Sequence, residues 1–172
     1  MIRPRSGCAS RAVVAVALAL ACACAHAPDA ASPVSAGSAL PRVSVRTLAG
    51  EQVRLDQLRG PALVDIWATW CVPCARSLPF YVRLARESGI RVLAISIDAE
   101  DAPVRSWLAE HAVPFEILRD PDGGAAESLA LRQMPTSFLI DSRGRVRVRH
   151  EGFREGDEAV IEAEVRALLA AP

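Results

Sequence analysis

Two cysteines with two residues between them, Cys71 and Cys74, are the residues of this chain best suited to chemistry. They end the stretch Trp67-Ala-Thr-Trp70-Cys71-Val-Pro-Cys74, directly behind an apolar run from Ala62 to Ala68 that is interrupted only by Asp65. A helical pattern follows. Cys71 is therefore expected near the exposed N-terminus of a helix, where unpaired N–H groups and the positive end of the dipole favour an anion. A thiolate is such an anion, and it is the nucleophile of disulfide exchange. Cys74, one turn further in, is close enough to close a ring with Cys71. Other readings of the pair are half a zinc site, a structural disulfide, an inert pair, or a Cu(I) site, since soft thiolates suit that ion. Tetrahedral zinc needs two further ligands, and downstream of residue 25 the chain offers no other cysteine and only His26, His111 and His150, well apart in sequence. The loop the pair closes is too short to restrict an unfolded chain much. Redox exchange is the favoured chemistry.

The elements that must position the pair can be read around it. The run before Cys71 is a buried strand, and Cys74 to Ser88 has Cys74, Leu78, Tyr81/Val82 and Ala85 on one helical face. Pro79 should kink that helix and Gly89 should end it. Val43–Leu48 and Gln52–Leu55 alternate around Ala49-Gly50 and predict a β-hairpin. Arg91–Asp98 is a near-continuous apolar strand, as in a parallel sheet covered on both faces. A second helix over 102–111, a short strand over 115–118, a turn at 120–124 and a short helix over 125–131 follow. A hairpin from 136–140 and 146–150 and a terminal amphipathic helix over 155–169 complete an α/β three-layer domain.

The beginning of the chain reads as an address. Arg3, Arg5 and Arg11 precede the apolar run Ala12–Ala21 and then small residues, the plan of a secretory signal over residues 1–25. Ala23-Cys24-Ala25 fits a small-residue cleavage site. Ala19-Leu20-Ala21-Cys22 resembles a bacterial lipobox, in which Cys22 would carry lipid and anchor the protein to a membrane. Residues 26–41, rich in Ala, Ser, Pro and Gly, read as a flexible linker, leaving 42–172 as the domain. All 20 basic residues are arginine; without Arg3, Arg5 and Arg11, 17 arginines face 20 acids. That balance argues against a nucleic-acid binder. Arg145, Arg147 and Arg149 alternate on the last strand and are expected to form a charged solvent face that resists edge pairing.

The segment Ile66-Trp67-Ala68-Thr69-Trp70-Cys71-Val72-Pro73-Cys74 resembles the active-site pattern of thioredoxin-like thiol–disulfide oxidoreductases, most closely the extracytoplasmic TlpA/ResA family. The resemblance covers roughly residues 42 to 172, one domain's worth. It implies a thioredoxin-like three-layer fold with an N-terminal β-hairpin and an inserted αβ unit. It also implies a cell-envelope enzyme that needs no cofactor. Its partners would be disulfide-containing exported proteins, with apocytochrome c among plausible substrates, and a membrane thiol electron donor. An oxidase of exported proteins is the alternative within the same chemistry.

Roles for individual residues follow from the same resemblance. Asp65, six residues before Cys71 in an apolar strand, matches the acid that shuttles the second cysteine's proton in thioredoxins, where TlpA/ResA chains commonly carry Asn. A carboxylate there is costly unless protonated or partnered. Met134-Pro135-Thr136 matches the cis-proline junction that faces the cysteine pair and whose backbone pairs with a substrate strand. Trp70 is expected on the rim of the site, Trp67 beneath it, and Val72 and Pro73 in the loop that tunes the redox potential. Where the family commonly has a glutamate three residues after the second cysteine, this chain has Ser77.

Overall fold

A computed structural model describes residues 34–171. Its strands are β1 (Ser44–Thr47), β2 (Gln52–Arg54), β3 (Ala62–Trp67), β4 (Arg91–Ser96), β5 (Glu116–Arg119), β6 (Thr136–Ile140) and β7 (Val146–Glu151). Its helices are α1 (Cys74–Ser88), α2 (Asp101–Glu110), α3 (Gly124–Ser128) and α4 (Asp157–Ala170). The strands form one sheet in the order β2-β1-β5-β4-β3-β6-β7. β3, β4 and β5 are parallel; β1 and β6 run antiparallel to β5 and β3, and β7 antiparallel to β6. This is the expected thioredoxin-like α/β fold, with the hairpin β1–β2 joined to the sheet through β5.

The apolar run of β3 is buried at all six positions because both faces of the sheet are covered. Ala62, Val64 and Ile66 enter a cluster with Leu93, Ile95, Leu118, Phe138 and Ala125 and Leu129 around α3. Leu63 and Trp67 point the other way. Leu63 meets Phe80, Tyr81 and Leu84 of α1 and Ile161 and Val165 of α4; Trp67 meets Cys71, Cys74, Leu78 and Val104 of α2. Strand alternation thus places Asp65 on the α1 side, at the seam between these two clusters. α1 runs continuously through Pro79 and ends at Gly89, which sits in the left-handed region with φ 73° and donates its N–H to the Ala85 carbonyl.

Two expectations about the chain's surface are corrected. The last part of the segment read as linker is docked: Leu40 is buried, Ala39 bridges Arg145, and Gly37 N–H and Ser38 C=O pair with Val146 across 2.7 and 2.8 Å. Val34 and Leu40 are the apolar anchors in this Ser/Gly/Pro-rich stretch, and β7 supplies the free backbone groups. Arg149 is not on the solvent face. A register shift between Leu139 and Ile140 interrupts the alternation of β7. Arg149 then lies over the Phe138 ring and donates to the Leu129 and Ala130 carbonyls, holding the end of α3. Arg145 and Arg147 remain exposed. Residues 1–33, with the signal, Cys22 and the first part of the expected linker, lie outside the described residues.

Candidate active site

The site forms where β3 ends and α1 begins. Trp67 C=O accepts from Ile97 N–H at 3.0 Å, fixing the end of β3 against β4. The chain then turns: Cys71 N–H donates to Ala68 C=O, and the Cys71 carbonyl accepts from Cys74 and Ala75 N–H at 3.0 and 3.3 Å. Cys71 and Cys74 are joined as a disulfide. Cys74 N–H also points at Cys71 Sγ across 3.3 Å, the helix-terminus donor expected to favour a thiolate there. Pro73 occupies the cap position of α1 and has no N–H of its own.

Cys71 retains 6 % exposure while Cys74 has none. Trp70 and Val72 stand out from the surface beside Cys71, 64 % and 78 % exposed. Trp67 is fully buried beneath the pair and lies 4.8 Å from Trp107, which in turn stacks on His111.

Met134–Pro135 is a cis peptide, as is Gly60–Pro61, which nothing in the sequence reading pointed to. Met134 packs against the cluster that contains both cysteines, so a loop more than fifty residues downstream closes the site. The Pro135 carbonyl is taken by Gly152 N–H at 2.7 Å. Thr136, expected to contact substrate, is turned inward: its side chain is buried and its hydroxyl donates to Gln133 C=O at 2.6 Å. The Thr136 side chain therefore does not line the surface of this loop.

Asp65 is completely buried, and neither carboxylate oxygen has a hydrogen-bond partner. Burial pushes its pKa well above the usual carboxylate range. Across the sheet it is paired with Ser137 on β6 and Ala94 on β4. The departure noted at Ser77 is structural as well: Ser77 is buried and donates to the Cys74 carbonyl at 3.3 Å.

Sequence reasoning missed Asp98. It stands just past the C-terminal end of β4, 3 % exposed. Its carboxylate accepts from Thr69 N–H at 3.0 Å, Thr69 Oγ1 at 2.6 Å and Ser96 Oγ at 2.8 Å. It therefore clamps the loop two residues before Cys71. The fully buried Arg119 guanidinium donates to the Asp98 and Glu100 carbonyls and pairs with Asp101, holding that corner from β5. The available signal was an acid at the carboxyl end of a buried parallel strand, where sites of open α/β sheets gather. Asp98→Ala leaves three donors without their acceptor and is expected to cost about 2 kcal/mol of stability. Urea unfolding measures it, and an unchanged midpoint with unchanged Thr69 amide exchange would deny Asp98 this role. Among the described residues no group of three His, Cys, Asp or Glu side chains converges.

A strand, a Cys-x-x-Cys turn, a helix and a cis-proline loop packed against the pair define a thioredoxin-like thiol–disulfide oxidoreductase. The chain belongs to the AhpC/TSA family, whose model matches residues 36–149. It is 34 % identical over 134 residues to the thiol:disulfide interchange protein DsbE of Pseudomonas fluorescens biotype C, covering 76 % of this chain and 74 % of the relative. It is 29 % identical to the thiol-disulfide oxidoreductase ResA of Bacillus thuringiensis subsp. konkukian, covering 64 % of this chain and 66 % of that one. Among solved structures, one described as a DsbE-type thiol:disulfide interchange protein from Chlorobium tepidum superposes with a TM-score of 0.71 at 31 % identity, covering 80 % of this chain and 99 % of that one. The protein is a thiol–disulfide oxidoreductase of DsbE/ResA type, with Cys71 and Cys74 as its cysteine pair.

Proposed function

We propose that the protein reduces disulfides of exported proteins in the bacterial cell envelope. The observation that carries this reading is the asymmetry of the pair: Cys71 meets the surface beside exposed Trp70 and Val72, while Cys74 is sealed under it. Cys71 thiolate attacks a partner disulfide, the partner's leaving sulfur departs as thiolate, and a mixed disulfide forms. Cys74 then gives its proton to Asp65, attacks Cys71 Sγ and releases the partner as a second thiol. The Met134 backbone pairs with the partner's strand, and Trp70 and Pro73 border it. The apolar run behind Arg11 supports export, with the signal either cut after small residues or lipidated at Cys22. A membrane thiol donor would return the pair to the dithiol, and apocytochrome c is a candidate partner on the strength of the DsbE and ResA likeness.

Equilibration with glutathione buffers tests both chemistry and direction. The domain should pass reversibly between two free thiols and none. Its potential should be more reducing than that of strong oxidants, which lie near about −120 mV. A thiol count that never changes would exclude redox exchange, and a potential near the oxidant value would make the protein an oxidase.

A further inference from the structure

Asp65 poses a problem for any mechanism that uses it as a base. It must be ionised to take the Cys74 proton, yet it lies in an apolar seam. The chain has no lysine, and burial is what raises its pKa. The polar groups around it come from two elements. Ser137 lies directly opposite on β6, on the same face of the sheet, where paired Cβ atoms are about 5 Å apart. Tyr81, on the buried stripe of α1 that begins with Cys74, donates its hydroxyl to Ser137 Oγ at 3.2 Å. Because Ser137 accepts from Tyr81, its own hydroxyl hydrogen is left to donate. Of the titratable groups on α1, Tyr81 is close enough to feel the Asp65 charge, and Cys74 begins the same buried stripe. β4 presents Ala94, β6 presents Ser137, and from α4 the charge of Asp157 acts on Tyr81.

We infer that Ser137 and Tyr81 are positioning residues for proton transfer in this enzyme: Tyr81 O–H donates to Ser137, and Ser137 O–H donates to the Asp65 carboxylate when that carboxylate is ionised. The inference rests on the base role proposed for Asp65 and adds what makes that role workable at neutral pH. In the disulfide form Asp65 has no hydrogen-bond partner, and a side-chain rotation within the Asp65–Ser137 pair makes the bond. In the resolving step the Cys74 proton passes to Asp65. The Cys74 sulfur bonds to Cys71 Sγ, the Cys71–partner bond breaks, and its electron pair leaves on the partner's sulfur. Hydrogen bonds to a charged group are worth more than neutral ones, and two hydroxyls in series polarise each other.

A chromogenic nitrobenzoate disulfide separates the two steps in the reduced full chain. Attack by Cys71 releases one coloured thiolate, and resolution by Cys74 releases the second. The second phase should follow a pH midpoint set by Asp65. Ser137→Ala should raise that midpoint by about one unit, a tenfold slowing below it. Tyr81→Phe should raise it by about half as much, and Ser137→Thr, which keeps the hydroxyl, should restore it. The first phase should be unchanged in all three, which a general loss of packing would not allow. If Asp65→Asn abolishes the midpoint while Ser137→Ala and Tyr81→Phe leave it in place, the hydroxyl pair is refuted and the base role stands. If Asp65→Asn leaves the second phase untouched, both fall. Should Ser137→Ala not fold, Tyr81→Phe alone decides, because it keeps the ring and removes only the donor.

Discussion

Cys71→Ser is expected to lower the rate of disulfide exchange by about three orders of magnitude or more, on the scale of removing a covalent nucleophile elsewhere. A serine hydroxyl cannot form a disulfide. Among the described residues the only other sulfur with nucleophilic chemistry is Cys74, which has no exposed surface. The fold should survive the change, because the turn around Cys71 is held by backbone hydrogen bonds and by the Asp98 clamp on Thr69. Thermal unfolding of the reduced variant should therefore stay close to that of the reduced parent while insulin-disulfide reduction disappears. Residual exchange above a few per cent would mean that Cys74 can be reached from outside, contrary to its burial.

Asp65→Asn should act in opposite directions on stability and on turnover. In the folded protein burial raises the pKa of Asp65 well above its ordinary value near 3.8. Between those two values the folded state keeps a proton that the unfolded chain has lost. Stability from this residue is therefore intact below about pH 4 and falls as pH rises towards the raised value. Asparagine has no such titration. At neutral pH and above, the variant should melt about 4 °C or more higher than the parent, from at least about 1 kcal/mol of relieved cost. The gain should vanish at pH values near 3.5 to 4. Resolution of the mixed disulfide near neutral pH should slow by about a hundredfold, the usual worth of a positioned base. A pH-independent difference in melting temperature would contradict the burial argument. An unchanged resolution rate would remove Asp65 from the mechanism.

What the sequence made legible were local signals. The apolar run of β3, the Cys-x-x-Cys turn and the 3.6-residue stripe of α1 each declare themselves within a few residues, so strand, nucleophile and helix could be placed in order. Asp65 was also legible, since a carboxylate inside an apolar strand is conspicuous. The Met134–Pro135 junction was not legible on its own; only the family likeness placed it against Cys71, because the two segments meet through β3–β6 pairing. Asp98 and Arg119 escaped for the same reason. Their partners, Thr69 and the 98–101 corner, come from other elements, and an acid or arginine in sequence carries no mark of what it will bond. Composition misled at residues 34–41, where two apolar side chains outweighed a run of small polar ones. It misled again at Arg149, where a one-residue register shift decided which face the side chain occupies.

Trapping on Cys74→Ser tests the central claim most directly. With the resolving thiol removed, Cys71 should stay covalently bound to its partners in envelope extracts, as adducts that dithiothreitol releases and that Cys71→Ser never forms. Exported cysteine-containing proteins captured through Cys71 are the predicted result. A Cys74→Ser protein that folds, keeps a free Cys71 thiol and captures nothing would contradict it.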